Sequence, residues 1–405
     1  VDDPVMTARH EDTVLCLNAG SSSLKVAVFA ADDRALTPVV VAGVDGIGSD
    51  VGRAWIGERQ RRSQRPGTFV DHASALSAAL SLLGKAVASP LTLVGHRVVH
   101  GGRRYVGPAR IDARALADLK ELAPMAPLHM AAAIAGIEAM TAHHPDLPQV
   151  ACFDTAFHAS MPEVAYRLPL PDRFDREGVR RYGFHGLSYE YIMSTMGCAP
   201  PSRIIVAHLG SGSSLVAVKD GRAIDTTMGF TPTGGVLMGT RTGDLDPGAL
   251  AYLLRVGKLR GDELESLVER ESGLLAIGGS SDMRTLLGRA GTDPRARLAV
   301  SMFEYAVRKA VGALATALGG VDVLVFTGGI GAGAAEVRSE VCEGLEYLGI
   351  HLDQERNARG ERVVTSHSSP CAVHVIPTDE ALVIARHARR VVRGPSSGSR
   401  SILDA

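Results

Sequence analysis

The sequence predicts an α/β protein made of two similarly built domains, and three observations carry that expectation. Apolar runs of strand length alternate with helical patterns along most of the chain. At 405 residues it is longer than one hydrophobic core usually holds. Shifting the sequence by 190 positions lays NAGSSSLKVAV (18–28) over HLGSGSSLVAV (208–218). Six of those eleven positions are identical: Gly20/Gly210, Ser21/Ser211, Ser23/Ser213, Val26/Val216, Ala27/Ala217 and Val28/Val218. Two halves that each open on a strand, a Gly/Ser turn and a second strand point to a duplicated domain, against the plainer reading that any two such units look alike.

Taken in order, VLCL (14–17), KVAVF (25–29), LVGHRVV (93–99), IIVAHL (204–209), LVAV (215–218) and VDVLVF (321–326) read as buried strands ending in Gly-rich turns. Segments 71–87, 112–122, 130–142, 246–256, 261–270, 295–318, 334–347 and 379–393 carry helical spacing or strong helix formers. Asp262 and Asp379 stand where a helix start favours negative charge. The first dozen residues and the Ser/Gly-rich tail from about Gly394 read as frayed ends.

Composition excludes several classes. A net charge of −1 gives no global pull towards nucleic acid or an anionic membrane. The five cysteines (Cys16, Cys152, Cys198, Cys342, Cys371) are scattered, odd in number and without CxxC spacing, so neither a disulfide framework nor a zinc site fits. No apolar run is long enough to span a bilayer, and the charged start is unlike a signal peptide. A soluble, cytoplasmic protein in a reducing compartment is expected.

The chemistry-bearing segments are short. Both Gly/Ser turns have the make-up of phosphate loops, because glycine lets backbone N–H groups approach and serine adds donors. Lys25 follows the first turn and could reach a terminal phosphate, although neither turn matches a Walker P-loop. FTGGIGAG (326–333) fails the strict dinucleotide fingerprint, which leaves a mononucleotide site or a plain tight turn. Arg97 in VGHRVVHGG and Arg241 in LMGTRTGDLDPG lie among apolar residues. Each must find an anion, either a substrate carboxylate or phosphoryl group or a structural Asp/Glu. Asp154 in CFDTAFH and His185 in RRYGFHGLS are candidates for perturbed ionisation, against a helix cap and a satisfied core histidine. His143–His144 reads as a solvated loop.

In order and spacing, LNAGSSSLK, GHRVVHGG, CFDTAFH, RRYGFHG, HLGSGSS, MGTRTGDLDPG, TGGIG and PTDEALVIA resemble the acetate kinase family over about residues 13–390. The resemblance implies a duplicated actin-like (ribonuclease H-like) ATPase fold with the active site between two domains. It divides the chain into an N-terminal domain (13–157) and a C-terminal nucleotide-binding domain (158–385). A final helix (386–394) would pack back on the first, and 1–12 and 395–405 would be disordered. The implied activity is reversible, ATP-dependent, in-line phosphorylation of acetate to acetyl phosphate and ADP. It would use Mg²⁺ (with Mn²⁺ as substitute), in a homodimer that engages no nucleic acid or membrane.

Carried over by motif, Asn18 and Glu380 would position the metal and Lys25 would contact ATP phosphate. His208, Leu209, Gly210, Ser211 and Gly212 would cradle the phosphates. Asp282, Met283 and Arg284 with Gly329, Ile330, Gly331, Ala332 and Gly333 would hold the nucleoside end. Arg97 would bind the carboxylate, Asp154 would act as acid/base or orienting carboxylate, and His185 and Arg241 would stabilise the transition state. Val99, Leu128, Phe184 and Pro232 match the family's apolar pocket. The chain departs from the usual pattern at Ser211 (usually Asn), Ala332–Gly333 (Glu-Asn), Met130 (Asn), Leu187 (Thr) and Tyr189 (His). A propionate or other short-acid kinase, or a nucleotide-binding ATPase or regulator on the same fold, are the alternatives. The retained Arg97 and Arg241 favour a kinase over an ATPase that needs only water.

Overall fold

Strand pairing sorts the described residues into two sheets. The computed structural model describes residues 12–394 except 21, 33–34, 58–62, 85, 88 and 198–201. The expected ends 1–11 and 395–405, Ser21 of the first turn and Cys198 therefore lie outside the described residues. Asp12, expected in the frayed start, instead opens the first strand, where Arg393 and Arg389 pair with its carboxylate.

The described residues form two compact units, one comprising those from Asp12 to Ala156 with Asp379–Gly394, the other Phe157–Thr378. The first unit holds β1 (Asp12–Ala19), β2 (Ser23–Ala31), β3 (Leu36–Asp45), β4 (Gly52–Ile56), β5 (Ser63–Gly67), β6 (Leu93–Val98), β7 (Ala109–Arg110) and β8 (Gln149–Phe153). They are ordered β5-β4-β3-β2-β1-β6-β8-β7. The second holds β9 (Arg203–Leu209), β10 (Ser213–Lys219), β11 (Arg222–Thr226), β12 (Val323–Thr327) and β13 (Ala372–Val375), ordered β11-β10-β9-β12-β13.

The duplication is visible in this pairing. In the first sheet β1, β2 and β3 are antiparallel neighbours, and β6 and β8 follow parallel to β1. In the second, β9, β10 and β11 repeat the antiparallel trio, and β12 and β13 repeat the parallel pair. The first hairpins differ by one residue. Four residues separate the paired Ala19 and Leu24, and three separate Leu209 and Ser213.

Helices cover both faces around the central strands of each sheet, which is why those strands read as near-continuous apolar runs, whereas β5 at the edge of the first sheet is largely exposed. In the second unit Ile205, Ala207, Leu209, Leu215 and Ala217 face the long helix Pro294–Leu318. The alternate residues Ile204, Val206, Val216 and Val218 face Tyr189, Ile192 and Met193 of helix Gly186–Met196. In the first unit helices His72–Leu83 and Pro127–His143 cover one face. The helix Glu380–Arg393 lies against β1, β6 and β8. The whole of that helix, and not only its part from 386, belongs to the first unit.

Helix starts follow local chemistry. Asp246–Pro247 and Asp293–Pro294 each place an aspartate cap before a proline at the first helical position, and Asp379 accepts from Leu382 N at 3.0 Å. No helix among the described residues is long and apolar enough to cross a membrane.

Candidate active site

In the first unit the end of β1, the end of β6 and the residue after β8 bring Asn18, Arg97 and Asp154 together, and helix Glu380–Arg393 adds its first residue. Arg97 Nε stands 3.0 Å from both carboxylate oxygens of Asp154, and Nη2 is 2.5 Å from Oδ2. Nη1 donates to Asn18 Oδ1 at 3.1 Å, Asn18 Nδ2 reaches Glu380 Oε2 at 3.4 Å, and Glu380 lies 3.9 Å from Arg97 Nε.

Asp154 is only 1% exposed, so its charge is tolerable only with such a partner. Burial by itself would depress the Arg97 guanidinium, but Asp154 and then Glu380 outweigh it and hold the group above the usual arginine range. The structural ion pair and the anion site are thus compatible: guanidinium carries five donors, and these bonds leave an N–H on each terminal nitrogen.

Lys25 is exposed and sits directly across the antiparallel pair from Asn18. The turn joining them is pinned by Gly20 N to Ser23 O at 2.8 Å and by His72 Nε2 to Gly20 O at 2.7 Å. Val99 is buried and Leu128 half-buried in this unit. Asn18 and Glu380 offer hard oxygen donors suited to Mg²⁺, which uses few protein ligands beside waters and phosphates. Among the described residues no three His, Cys, Asp or Glu side chains form a metal cage.

In the second unit three segments named from the sequence come together. Thr327, at the end of β12, pairs with His208 at the end of β9. A Cβ built on Gly210 would lie 3.9 Å from Gly329 N. Gly239 N donates to Ser211 O at 3.2 Å, and a Cβ on Gly239 would meet Ser281 O at 3.2 Å, beside Asp282. The turn is closed by Ser213, whose hydroxyl bridges Gly210 N and O at 3.1 Å, while Ser211 is exposed.

Asp282 caps the helix that starts at Met283, accepting from Arg284 N at 2.7 Å; Met283 is buried, and the Arg284 side chain is 92% exposed. Residues Gly328–Gly333 (with Gly329, Ile330, Gly331, Ala332 and Gly333) form a short helix in place of the tight turn considered from sequence. Gly328, at φ +77°, lets that turn press against Leu209, whose carbonyl would lie 2.5 Å from any Cβ.

His185 and Arg241 converge in this unit. A Cβ on Gly212 would stand 3.3 Å from His185 Nε2 and 3.2 Å from Arg241 Nη1, so the missing side chain leaves open the space both groups border. Arg241 Nη1 donates to Pro232 O at 3.2 Å, which gives the buried Pro232 an orienting contact beside its apolar ring. The Arg241 segment is locked by Gly273 (φ +62°), where a Cβ would fall 2.1 Å from Met238 O. His185 has a left-handed backbone (φ 60°), stacks on His208 at 4.3 Å and lies 2.9 Å from Ser214 Oγ through Nδ1. The His208 ring is held by Ser188 Oγ at 2.8 Å, and Phe184 is 1% exposed, its carbonyl 3.0 Å from His158 Nε2.

A family model described as the acetokinase family matches residues 13–386. The chain belongs to the acetokinase family. It is 43% identical over 403 residues to an acetate kinase of Rhodopseudomonas palustris, covering 95% of this chain and 99% of the relative. It is 42% identical over 395 residues to one of Streptomyces avermitilis, covering 94% and 97%. Among solved structures, Porphyromonas gingivalis acetate kinase superposes with a TM-score of 0.84 at 37% identity. A propionate kinase from Francisella tularensis does so at 0.87 and 34%; each covers 94% of this chain and 100% of the other. These whole-chain likenesses and the repeated sheet order agree with the duplicated ATPase fold expected for an acetokinase.

Sequence reasoning missed Arg338. It is 1% exposed and, among the described residues, has no acidic hydrogen-bond partner, donating instead to Gly331 O (2.9 Å), Ala332 O (3.1 Å) and both oxygens of Asn357 (2.8 and 2.9 Å). Burial lowers its pKa from the ordinary arginine value. The only signal was its place in the helical segment just after the glycine loop.

Proposed function

We propose that this chain transfers the γ-phosphoryl group of ATP reversibly to the carboxylate of acetate, giving acetyl phosphate and ADP. The observation that carries this reading is the pairing of His185 Nε2 and Arg241 Nη1 around the bare Gly212, in a member of the acetokinase family. A carboxylate is already a competent nucleophile, so the barrier lies in bringing two anions together and spreading charge over the group in flight. That calls for fixed cations and donors.

On this reading, Arg97 takes the carboxylate through its remaining N–H groups while Asp154 keeps it in plane. Val99, Leu128, Phe184 and Pro232 accommodate the alkyl end. Residues 208–212 hold phosphates with Lys25, and 282–284 and 329–333 hold the nucleoside. Asn18 and Glu380 would hold a divalent cation (Mg²⁺, or Mn²⁺ in its place), which supplies charge neutralisation at the phosphates when bound. A homodimer acting in the cytoplasm belongs to the same reading.

Trapping the product as an acyl hydroxamate, with ATP, Mg²⁺ and a panel of short acids, tests the reaction. No hydroxamate from any acid, alongside measurable ATP hydrolysis, overturns it. Arg241→Ala should lower kcat by about 10²–10³, with KM for the acid moving far less. A kcat within a few-fold of the parent would remove Arg241 from the role.

Propionate is the second reading. It is favoured by the likeness to the Francisella propionate kinase. One methylene in an apolar pocket is worth only about 1–3 kcal/mol, so comparison of kcat/KM across the same panel decides between the acids.

A further inference from the structure

Tyr189 lies one helical turn beyond His185, on the helix Gly186–Met196. It is completely buried, edge-on to His158 at 5.6 Å and tilted against Phe157 at 5.9 Å. A phenylalanine would fill such an apolar slot without the cost of burying a hydroxyl. The Tyr189 hydroxyl does not end in the slot. It hydrogen-bonds Ser214 Oγ on β10, and the same oxygen is 2.9 Å from His185 Nδ1. The chain Tyr189–Ser214–His185 therefore runs from the packed face of the helix to the imidazole edge opposite Nε2. Nε2 is the atom that borders Gly212 with Arg241.

The acidities of the groups give this chain a direction. A phenol is a stronger donor than an aliphatic hydroxyl, so Tyr189 donates to Ser214 and frees the serine proton for His185 Nδ1. With Nδ1 accepting, the proton of the neutral ring sits on Nε2. The opposite tautomer would aim the Nε2 lone pair at an anionic phosphoryl group, which is repulsive. His208, stacked on the other side, fixes the plane of the ring; its own Nδ1 is held by Ser188.

We propose that Tyr189, acting through Ser214, is a positioning residue that holds His185 as the Nε2–H tautomer, with that N–H beside Arg241 as a donor to the transferring phosphoryl group. This rests on the phosphoryl-transfer reading above.

The tautomer can be read without substrate from the side-chain ¹⁵N shifts of His185 in the full-length protein, assigned by loss of its signals in His185→Gln. The parent should show an unprotonated Nδ1 and a protonated Nε2. Tyr189→Phe should show a mixture of tautomers, with kcat about tenfold lower and KM for ATP changed less than twofold. Tyr189→His, which restores a donor, should recover part of kcat. The double variant Tyr189→Phe/Ser214→Ala should be no slower than Ser214→Ala alone, because both act through one chain. A parent protein with the proton on Nδ1, or Tyr189→Phe with parental kcat and shifts, overturns the proposal. Failure of the parent to make any acyl phosphate sinks the reading of the reaction instead, since the shifts report on the relay independently.

Discussion

Arg97 sits at the end of a strand that is otherwise buried, and its charge is sustained there by Asp154 and Glu380. The sequence could say that such an arginine needs an anion, but not which one, because Asp154 is fifty-seven residues away and meets it only through the parallel pairing of β6 and β8. Two other buried groups give a pH prediction. Burial pushes His96 and His158 down to about 4, more strongly than the bonds to Gln149 and to Phe184 O raise them. The free-chain value is near 6.5, so the unfolded chain binds the extra protons between about pH 6.5 and 4. The stability these neutral rings contribute is whole above about 6.5 and is lost as pH falls through that window. Each accounts for up to roughly 3 kcal/mol by pH 4. Urea titrations of His96→Gln should show a shallower loss of stability between pH 7 and 4.5 than the parent. An unchanged slope would mean His96 is protonated in the folded state.

At the level of elements, the helix Gly328–Gly333, proposed above to hold the nucleoside, depends on a support that carries none of the recognised motifs. Arg338 binds the carbonyls that end helix Gly328–Gly333, and Asn357 holds Arg338 while bonding Ala335 O and Ser339 Oγ at 2.9 Å. Because Ala332 and Gly333 bring almost no side chain, the loop's shape must come from this backing. Arg338→Met keeps much of the volume and removes the donors, leaving buried carbonyls unpaired at about 1–3 kcal/mol. It should raise KM for ATP about tenfold, with KM for the acid within twofold; equal rises in both would make Arg338 a general stability residue. The strands β1, β2, β6, β9, β10 and β12 were legible because buried apolar runs are a local signal, whereas strands such as β5 (SQRPG) and the helix Gly186–Met196 were not. The short helix at 328–333 was not, since Gly-rich segments have no preference of their own and take their form from Leu209 and Arg338. The Tyr189–Ser214–His185 chain was hidden for a related reason: its middle residue lies on a different element.

For the chain as a whole, the repeated sheet order shows that the resemblance of residues 18–28 to 208–218 reflects duplication. The one-residue difference in hairpin length shows that the copies have since diverged at the first turn. The first unit is completed only when the chain returns as helix Glu380–Arg393, and that return carries Glu380 to Arg97. The docking depends on Gly95 in β6. A Cβ there would lie 2.4 Å from Ile384 Cγ2 and 3.3 Å from Ile384 O, too close for the helix to stay where it is. Cys16 Sγ, meeting Ala381 O at 3.3 Å, ties the helix start to β1, so a displaced helix must also move Glu380. Gly95→Ala should therefore destabilise the protein by about 1–3 kcal/mol, the usual cost of overpacking a filled interior. It should lower acyl-phosphate formation by more than it weakens nucleotide binding, because the residues proposed to hold the nucleotide, 208–212, 282–284 and 329–333, belong to the other unit. Ile384→Ala removes the group that the new methyl would strike. The pair Gly95→Ala/Ile384→Ala should then be more stable than the sum of the single changes predicts, and should regain activity over Gly95→Ala. Thermal unfolding and hydroxamate rates of the four proteins measure both quantities. Strict additivity, or a Gly95→Ala protein that unfolds and turns over like the parent, would show that the returning helix does not depend on this contact to place Glu380.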